Sequence, residues 1–204
     1  MKNIILFGSG EGTNFSAMVR GGVRIHSVIT NNRSAGIIGR AKNKGVDCIC
    51  IPSNSMQSQE EHEKRIIEVL PEKVDLIVLA GYMRMLSSDF LKRYPKIINI
   101  HPSLLPSFKG KDAIENAYKF GCKYIGATIH WVNEEMDAGD IIEQEGFRID
   151  DNETLVEVVK KMHLLENAMY PRVVHDLITQ KHNSKIEMMI TDENGFNTWK
   201  RAHV

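Results

Sequence analysis

The chain has 204 residues, 42% apolar and 25% charged, enough to bury about 70% of the surface its unfolded form exposes, so stability requires neither a metal nor disulfides. Lys plus Arg and Asp plus Glu number 26 each, a balance that gives no general attraction to nucleic acid or a membrane surface but leaves room for a local basic pocket for one phosphate. The apolar start, Ile4 to Phe7, is stopped by turn residues from Gly8 and is too short for a signal peptide. No apolar run approaches spanning length, and a cytoplasmic setting is expected. Cys48, Cys50 and Cys122 form no disulfide framework and no Cys-x-x-Cys pair. Cys48 and Cys50 read as small core residues on one face of a strand.

In chain order, residues 3–7 predict a strand, followed by a glycine loop and a short helix from about Thr13. A second strand is expected at 23–30, a helix at 35–44 closed by Gly45, a third strand at 46–52 and a helix at 57–69. The run from Asp75 to Ala80 is apolar after its first residue, as a parallel strand covered on both faces should be. Ile97 to Ile100 is a strand running into His101-Pro102, with a helix at about 111–120 and longer strands near 124–132 and 141–149. A last helix starts behind Asn152 or Thr154 as its cap and runs to about Gln180. The tail, 181–204, is polar, with a strand near 185–190, and reads as an added hairpin or extension of one domain spanning 1–204. The rhythm predicts a doubly wound α/β fold, a mostly parallel twisted sheet flanked by helices. Ligands in such sheets bind beyond the carboxyl ends of the strands, after residues 7, 80 and 100.

The loop Gly8-Ser9-Gly10-Glu11-Gly12-Thr13-Asn14 lets backbone N–H groups approach a phosphate at a helix start. Its spacing is neither the dinucleotide fingerprint nor a Walker loop, and the Glu11 carboxylate must point away from any bound anion. Asn99 and His101, two apart on a strand, share a face, and an amide beside an imidazole can stabilise one developing oxyanion. Glu134, Glu135, Asp137 and Asp140 crowd the loop between the two long strands. One of these acids can approach His101 and raise its basicity, and the sequence leaves open which. His130, on the preceding strand, is a second base or orienter.

Taken together, Ser9 to Asn14, Leu79-Ala80-Gly81-Tyr82-Met83-Arg84-Met85-Leu86, Asn99 through Pro106, Gly126 to His130 and Met136 to Gly139 resemble the phosphoribosylglycinamide formyltransferases, the folate-dependent enzymes of purine synthesis, over nearly the whole chain. The resemblance implies a Rossmann-like formyltransferase domain, monomeric or homodimeric, that uses 10-formyltetrahydrofolate as co-substrate and no metal. It implies that Asn99 and a protonated His101 stabilise the tetrahedral oxyanion and that Asp137 sustains the His101 charge, lines the folate site and helps move the amine proton, with Thr128 and His130 in support. It further implies that Glu11, Gly12, Thr13 and Asn14 hold the ribonucleotide phosphate, that Glu166 grips the ribose, and that Met83, Arg84 and Leu86 line the folate pocket, chiefly through backbone. From the residues alone, Met83 and Met85 read as core.

Glu11 stands where this family often has a neutral residue, and the stretch from Phe15 to Ile29 is shorter than in many relatives. Phe108-Lys109-Gly110, Tyr124 to Thr128 and Ile141 to Gln144 also resemble formyltetrahydrofolate deformylase, which hands the formyl group to water. Against that alternative, Pro102 replaces the second histidine expected there, no N-terminal regulatory domain precedes the first strand, and a phosphate loop is kept. Sugar-amine and methionyl-tRNA formyltransferases share the central motif, but the latter usually carry a further C-terminal domain. A non-enzymatic nucleotide-binding regulator would explain the glycine loop but not Asn99, His101 and Asp137.

Overall fold

The computed structural model describes residues 2–52, 58–179, 186–191 and 197–202. The elements in order are β1 (Ile4–Phe7), α1 (Thr13–Arg20), β2 (Ser27–Thr30), α2 (Gly36–Asn43), β3 (Asp47–Cys50), α3 (Gln59–Val69), β4 (Leu76–Leu79), α4 (Ser88–Arg93) and β5 (Ile97–His101). There follow α5 (Ala113–Phe120), β6 (Tyr124–Trp131), β7 (Ile141–Arg148), α6 (Leu155–Ile178), β8 (Ile186–Thr191) and β9 (Asn197–Ala202). Seven strands form one sheet in the order β3-β2-β1-β4-β5-β6-β7. The first five are parallel, while β6 and β7 run antiparallel. In the tail, β8 and β9 pair antiparallel as a separate two-stranded ladder.

Each short central strand feeds both faces. Ile4 and Leu6 of β1 join a cluster with Phe15 and Met18 of α1 and Met162, Met169, Tyr170 and Val173 of α6. Ile5 and Phe7 join the opposite cluster with Ile66 of α3, Leu86 and Phe90. This two-sided burial is the physical origin of the unbroken apolar runs in the sequence. The last helix is capped by Thr154, whose side chain accepts from Glu157 N–H while the Glu157 carboxylate bonds back to the cap backbone, a reciprocal box that satisfies two otherwise orphaned donors. The Tyr170 hydroxyl, wholly buried, donates to the carbonyl of Leu79 at 2.6 Å and lies 3.4 Å from that of Ile98, pinning α6 to the ends of β4 and β5.

Two expectations are corrected. Cys48 and Cys50 are half-buried rather than core, because β3 is the edge of the sheet and lacks a second neighbour. Met83 and Met85 are not core either: they are 72% and 43% exposed, since the chain after β4 leaves the sheet as a surface loop. The short helix α4, with Ser87 as its cap, has no counterpart among the expected elements.

Candidate active site

β5 carries the predicted pair. In its antiparallel register with β6, Asn99 lies opposite His130 and His101 opposite Thr128, so pairing alone brings an amide, two imidazoles and a hydroxyl to one end of the sheet. The turn between β6 and β7 brings Asp137 back over them. Its Oδ2 lies 3.4 Å from His101 Nδ1 and its Oδ1 3.6 Å from His130 Nε2, with all three side chains nearly buried. The Gly110 N–H donates to Asp137 Oδ2 at 2.9 Å. Burial pushes the Asp137 carboxyl upward, but the His130 and Gly110 hydrogen bonds and the charges of His101 and His130 outweigh it, so its pKa is lowered overall. Of the four acids in this loop, Asp137 meets both rings.

Each ring is fixed from its far side. His101 Nε2 donates to the Phe108 carbonyl at 2.8 Å, so its two nitrogens face a carbonyl and a carboxylate. His130 Nδ1 donates to the Trp131 carbonyl at 2.9 Å, and its Nε2 lies 3.3 Å from Asn99 Nδ2. That nitrogen thus stands between the Asn99 amide and Asp137 Oδ1. Phe108 and Asp137 hold left-handed backbones, φ 51° and 50°, a conformation costing roughly 1–2 kcal/mol for a residue with a Cβ. Such strain persists where the surroundings over-determine it. Gly139, two residues past Asp137, has no room for a methyl, which would overlap the Trp131 carbonyl.

Thr128 holds the segment after His101. Its hydroxyl donates to the Ser103 carbonyl at 2.6 Å and accepts from Leu105 N–H at 3.1 Å and Gln144 Nε2 at 2.9 Å. Gln144 also donates to the Leu105 carbonyl. Gln144, the Phe108 carbonyl and the Gly110 N–H were not among the expected site groups; Gln144 faces Thr128 only through the β6–β7 register, which no spacing rule reveals.

The glycine loop leaves β1 and opens α1. Gly12 is the N-cap, left-handed at φ 76°, and no side chain caps the helix, so the first N–H groups of α1 remain available to an anion. Its positive φ and the approach of Ile37 Cβ to 2.8 Å of where a Cβ would stand both require glycine. Thr13 and Asn14 form the first turn, and among the described residues Asn14 Oδ1 is buried without a partner. The Glu11 carboxylate packs against Gly36, where a Cβ would fall 2.6 Å from Glu11 Oε2, at the N-terminus of α2. It thus compensates a different helix dipole, while its carbonyl accepts from Arg40 Nε at 2.6 Å.

Ser9 links this loop to the one after β4. Its N–H donates to the Gly81 carbonyl at 3.1 Å, its hydroxyl accepts from Met83 N–H at 3.1 Å and donates to Asn31 Oδ1 at 2.6 Å. Met83 and Arg84 therefore sit beside the glycine loop, with Leu86 anchoring the segment in the core. Glu166, on α6, is 7% exposed and accepts from His163 Nδ1 at 3.3 Å. Among the described residues no cluster of three or more His, Cys, Asp or Glu is placed to hold a metal ion, and no helix is long and apolar enough to cross a membrane.

Known proteins resemble this chain across most of their length. The formyl transferase family profile matches residues 2–174. The phosphoribosylglycinamide formyltransferase of Bacillus subtilis (strain 168) is 38% identical over 189 residues, spanning 87% of this chain and 95% of that protein. The crystal structure of phosphoribosylglycinamide formyltransferase from Bacillus halodurans superposes with a TM-score of 0.84 at 36% identity, covering 89% of this chain and 98% of that one. That from Streptococcus pneumoniae TIGR4 gives 0.83 at 34%, covering 87% and 99%. The chain belongs to the formyl transferase family, and within it to the phosphoribosylglycinamide formyltransferases.

Proposed function

We propose that this chain transfers the formyl group of 10-formyltetrahydrofolate to the amine of glycinamide ribonucleotide, with Asn99, His101 and Asp137 as its catalytic residues. The observation that carries the assignment of roles is the Asp137 carboxylate lying within 3.6 Å of both His101 and His130, with Asn99 alongside. Attack of the amine on the formyl carbon places a negative charge on the formyl oxygen. The Asn99 amide and a protonated His101 ring supply donors for it. Since His101 Nε2 is engaged by the Phe108 carbonyl, the oxyanion takes its hydrogen bond from that nitrogen in competition with it. The reaction is neutral in protons overall: one leaves the attacking amine and one is gained by the departing folate nitrogen. Asp137, kept ionised, sustains the charge on His101 and accepts and returns that proton.

Gly12, Thr13 and Asn14, with the backbone of Glu11, bind the phosphate at the open end of α1, and Glu166 holds the ribose hydroxyls. Met83, Arg84 and Leu86 line the folate site, and the exposed Met83 side chain supplies an apolar surface for it. Thr128 and His130 act in support, and the reaction is assigned to the cytoplasm. Transfer to water is the weaker reading, since the close relatives are named transferases. The test is to follow loss of the formyl group from 10-formyltetrahydrofolate with and without glycinamide ribonucleotide. Turnover only with the amine is expected; turnover without it would assign the deformylase reaction, and none in either case would refute both.

A further inference from the structure

The helix α3 presents three polar side chains to the loop after β4. Gln59, His62 and Glu63 fall at i, i+3 and i+4, one face of the helix. Gln59 Nε2 donates to the Met85 carbonyl at 3.1 Å. The Glu63 carboxylate, 5% exposed, accepts from Ser87 N–H at 2.7 Å, from the Ser87 hydroxyl and from Gln59 Nε2. His62, 1% exposed, has Nε2 3.2 Å from the Tyr82 hydroxyl. Every second residue or so of the 82–87 loop is thus tethered to α3, whereas the side chains it offers outward, Met83 and Met85, are exposed.

We infer that His62 is a positioning residue for the formyl donor: as a neutral ring hydrogen-bonded to Tyr82, it holds the 82–86 loop in the shape that receives the folate. The inference rests on the assignment of that loop to the folate site. Nothing in the catalytic cluster touches His62, so its effect should fall on donor binding and not on the chemical step. Among the described residues His62 Nδ1 is buried with no partner, so a second ring proton would have no acceptor. The charged and titratable groups around it are Arg65 and Glu63 on its own helix and Tyr82 and Arg84 from the loop. Burial first, then the Arg84 and Arg65 charges, lower the His62 pKa, with Glu63 opposing. Burial, helped by Glu63 and opposed by Arg84, pushes the Tyr82 hydroxyl up to about 12, so it stays a neutral partner. Protonating His62 would set a buried cation beside Arg84 with an Nδ1 proton that has no acceptor, a cost the loop relieves by moving away from α3.

The test is steady-state kinetics of the full chain with 10-formyltetrahydrofolate and glycinamide ribonucleotide, for wild type, H62A, H62Q, Y82F and the H62A/Y82F double variant. The KM for the folate should rise about three- to tenfold in H62A and in Y82F, the scale of one lost hydrogen bond. The kcat and the ribonucleotide KM should stay within about twofold. The double variant should be no worse than the poorer single one, as for two halves of one contact, and H62Q should recover most of the loss. The wild-type folate KM should climb as pH falls below the ordinary histidine value of about 6.5, and that of H62Q should not. A rise in ribonucleotide KM or a fall in kcat of the same size, multiplying effects in the double variant, or parallel pH profiles would overturn the inference. If H62A does not fold, Y82F, which loses only a hydroxyl, carries the same expectation, and an unchanged folate KM there overturns it. A wild-type chain that fails to turn over both substrates would refute the proposed function instead.

Discussion

Replacing Asp137 by Asn removes a charge while keeping size and an oxygen for the Gly110 N–H, so it isolates what the carboxylate contributes. At the 3.4 Å separation from His101 Nδ1, attraction between a charged ring and the carboxylate is about 5 kcal/mol at an effective dielectric near 20. Desolvation of the two groups offsets part of that, leaving about 3 kcal/mol, or roughly two powers of ten in rate at ~1.4 kcal/mol per decade. Loss of the proton acceptor adds to this, so kcat in D137N should fall by about two to four powers of ten. The ribonucleotide KM should change little, because the phosphate loop and Glu166 are untouched. The assay is formyl transfer at saturating concentrations of both substrates, with thermal melts in parallel. Because the folded-state Asp137 pKa is lowered, its stabilisation is present above the unfolded carboxyl value of about 3.9 and is lost as pH falls through the folded value. The difference in Tm between wild type and D137N should therefore shrink in acid. A D137N enzyme within threefold of wild-type kcat would refute the reasoning.

T128V removes a fully buried hydroxyl that serves Ser103, Leu105 and Gln144; unfolding free energy should drop by about 2–4 kcal/mol, read by denaturant titration, with a fall in kcat. G12A forces a methyl into a left-handed position facing Ile37, so the ribonucleotide KM should rise at least about tenfold with the folate KM unchanged, given a strain of roughly 1–2 kcal/mol and the shifted N–H groups. The hydrogen bond to Glu166 raises the His163 pKa, burial opposing it and the Glu166 charge adding to it. The pair's stabilisation is therefore full below the unfolded histidine value of about 6.5 and is lost as pH rises through the folded value. The stability difference between wild type and H163A should fade toward alkaline pH and stay below about 1 kcal/mol, as half-exposed pairs are screened.

The alternation of strands and helices was legible because parallel strands buried on both faces write themselves as apolar runs, and because Thr154 and Glu157 spell a helix start. Asn99 and His101 were legible for a simpler reason, since two-residue spacing on a strand puts them on one face. What the sequence withheld is whatever depends on strand order and register. The edge position of β3 turned two expected core cysteines into half-buried ones. Met83 and Met85 look like core by residue type, and only the path of the chain after β4 shows them at the surface. The choice of Asp137 among four acids came from family resemblance, and its physical basis is a turn geometry that brings it against both imidazoles. His62 and Glu63 read as part of an ordinary charged helix until α3 is seen to lie beside the 82–87 loop.

The buried phenol of Tyr170 carries one more consequence. It sits one helical turn after Glu166 and bonds to the carbonyl of Leu79, with the carbonyl of Ile98, the residue before Asn99, also in reach. The proposed ribose grip and the proposed oxyanion donor are therefore mounted on one packed span that this hydroxyl pins. Such a span acts as a caliper: an amine attached to its ribose by a longer or shorter arm would reach the wrong point along β5, whatever its nucleophilicity, so this enzyme should choose its acceptor by length.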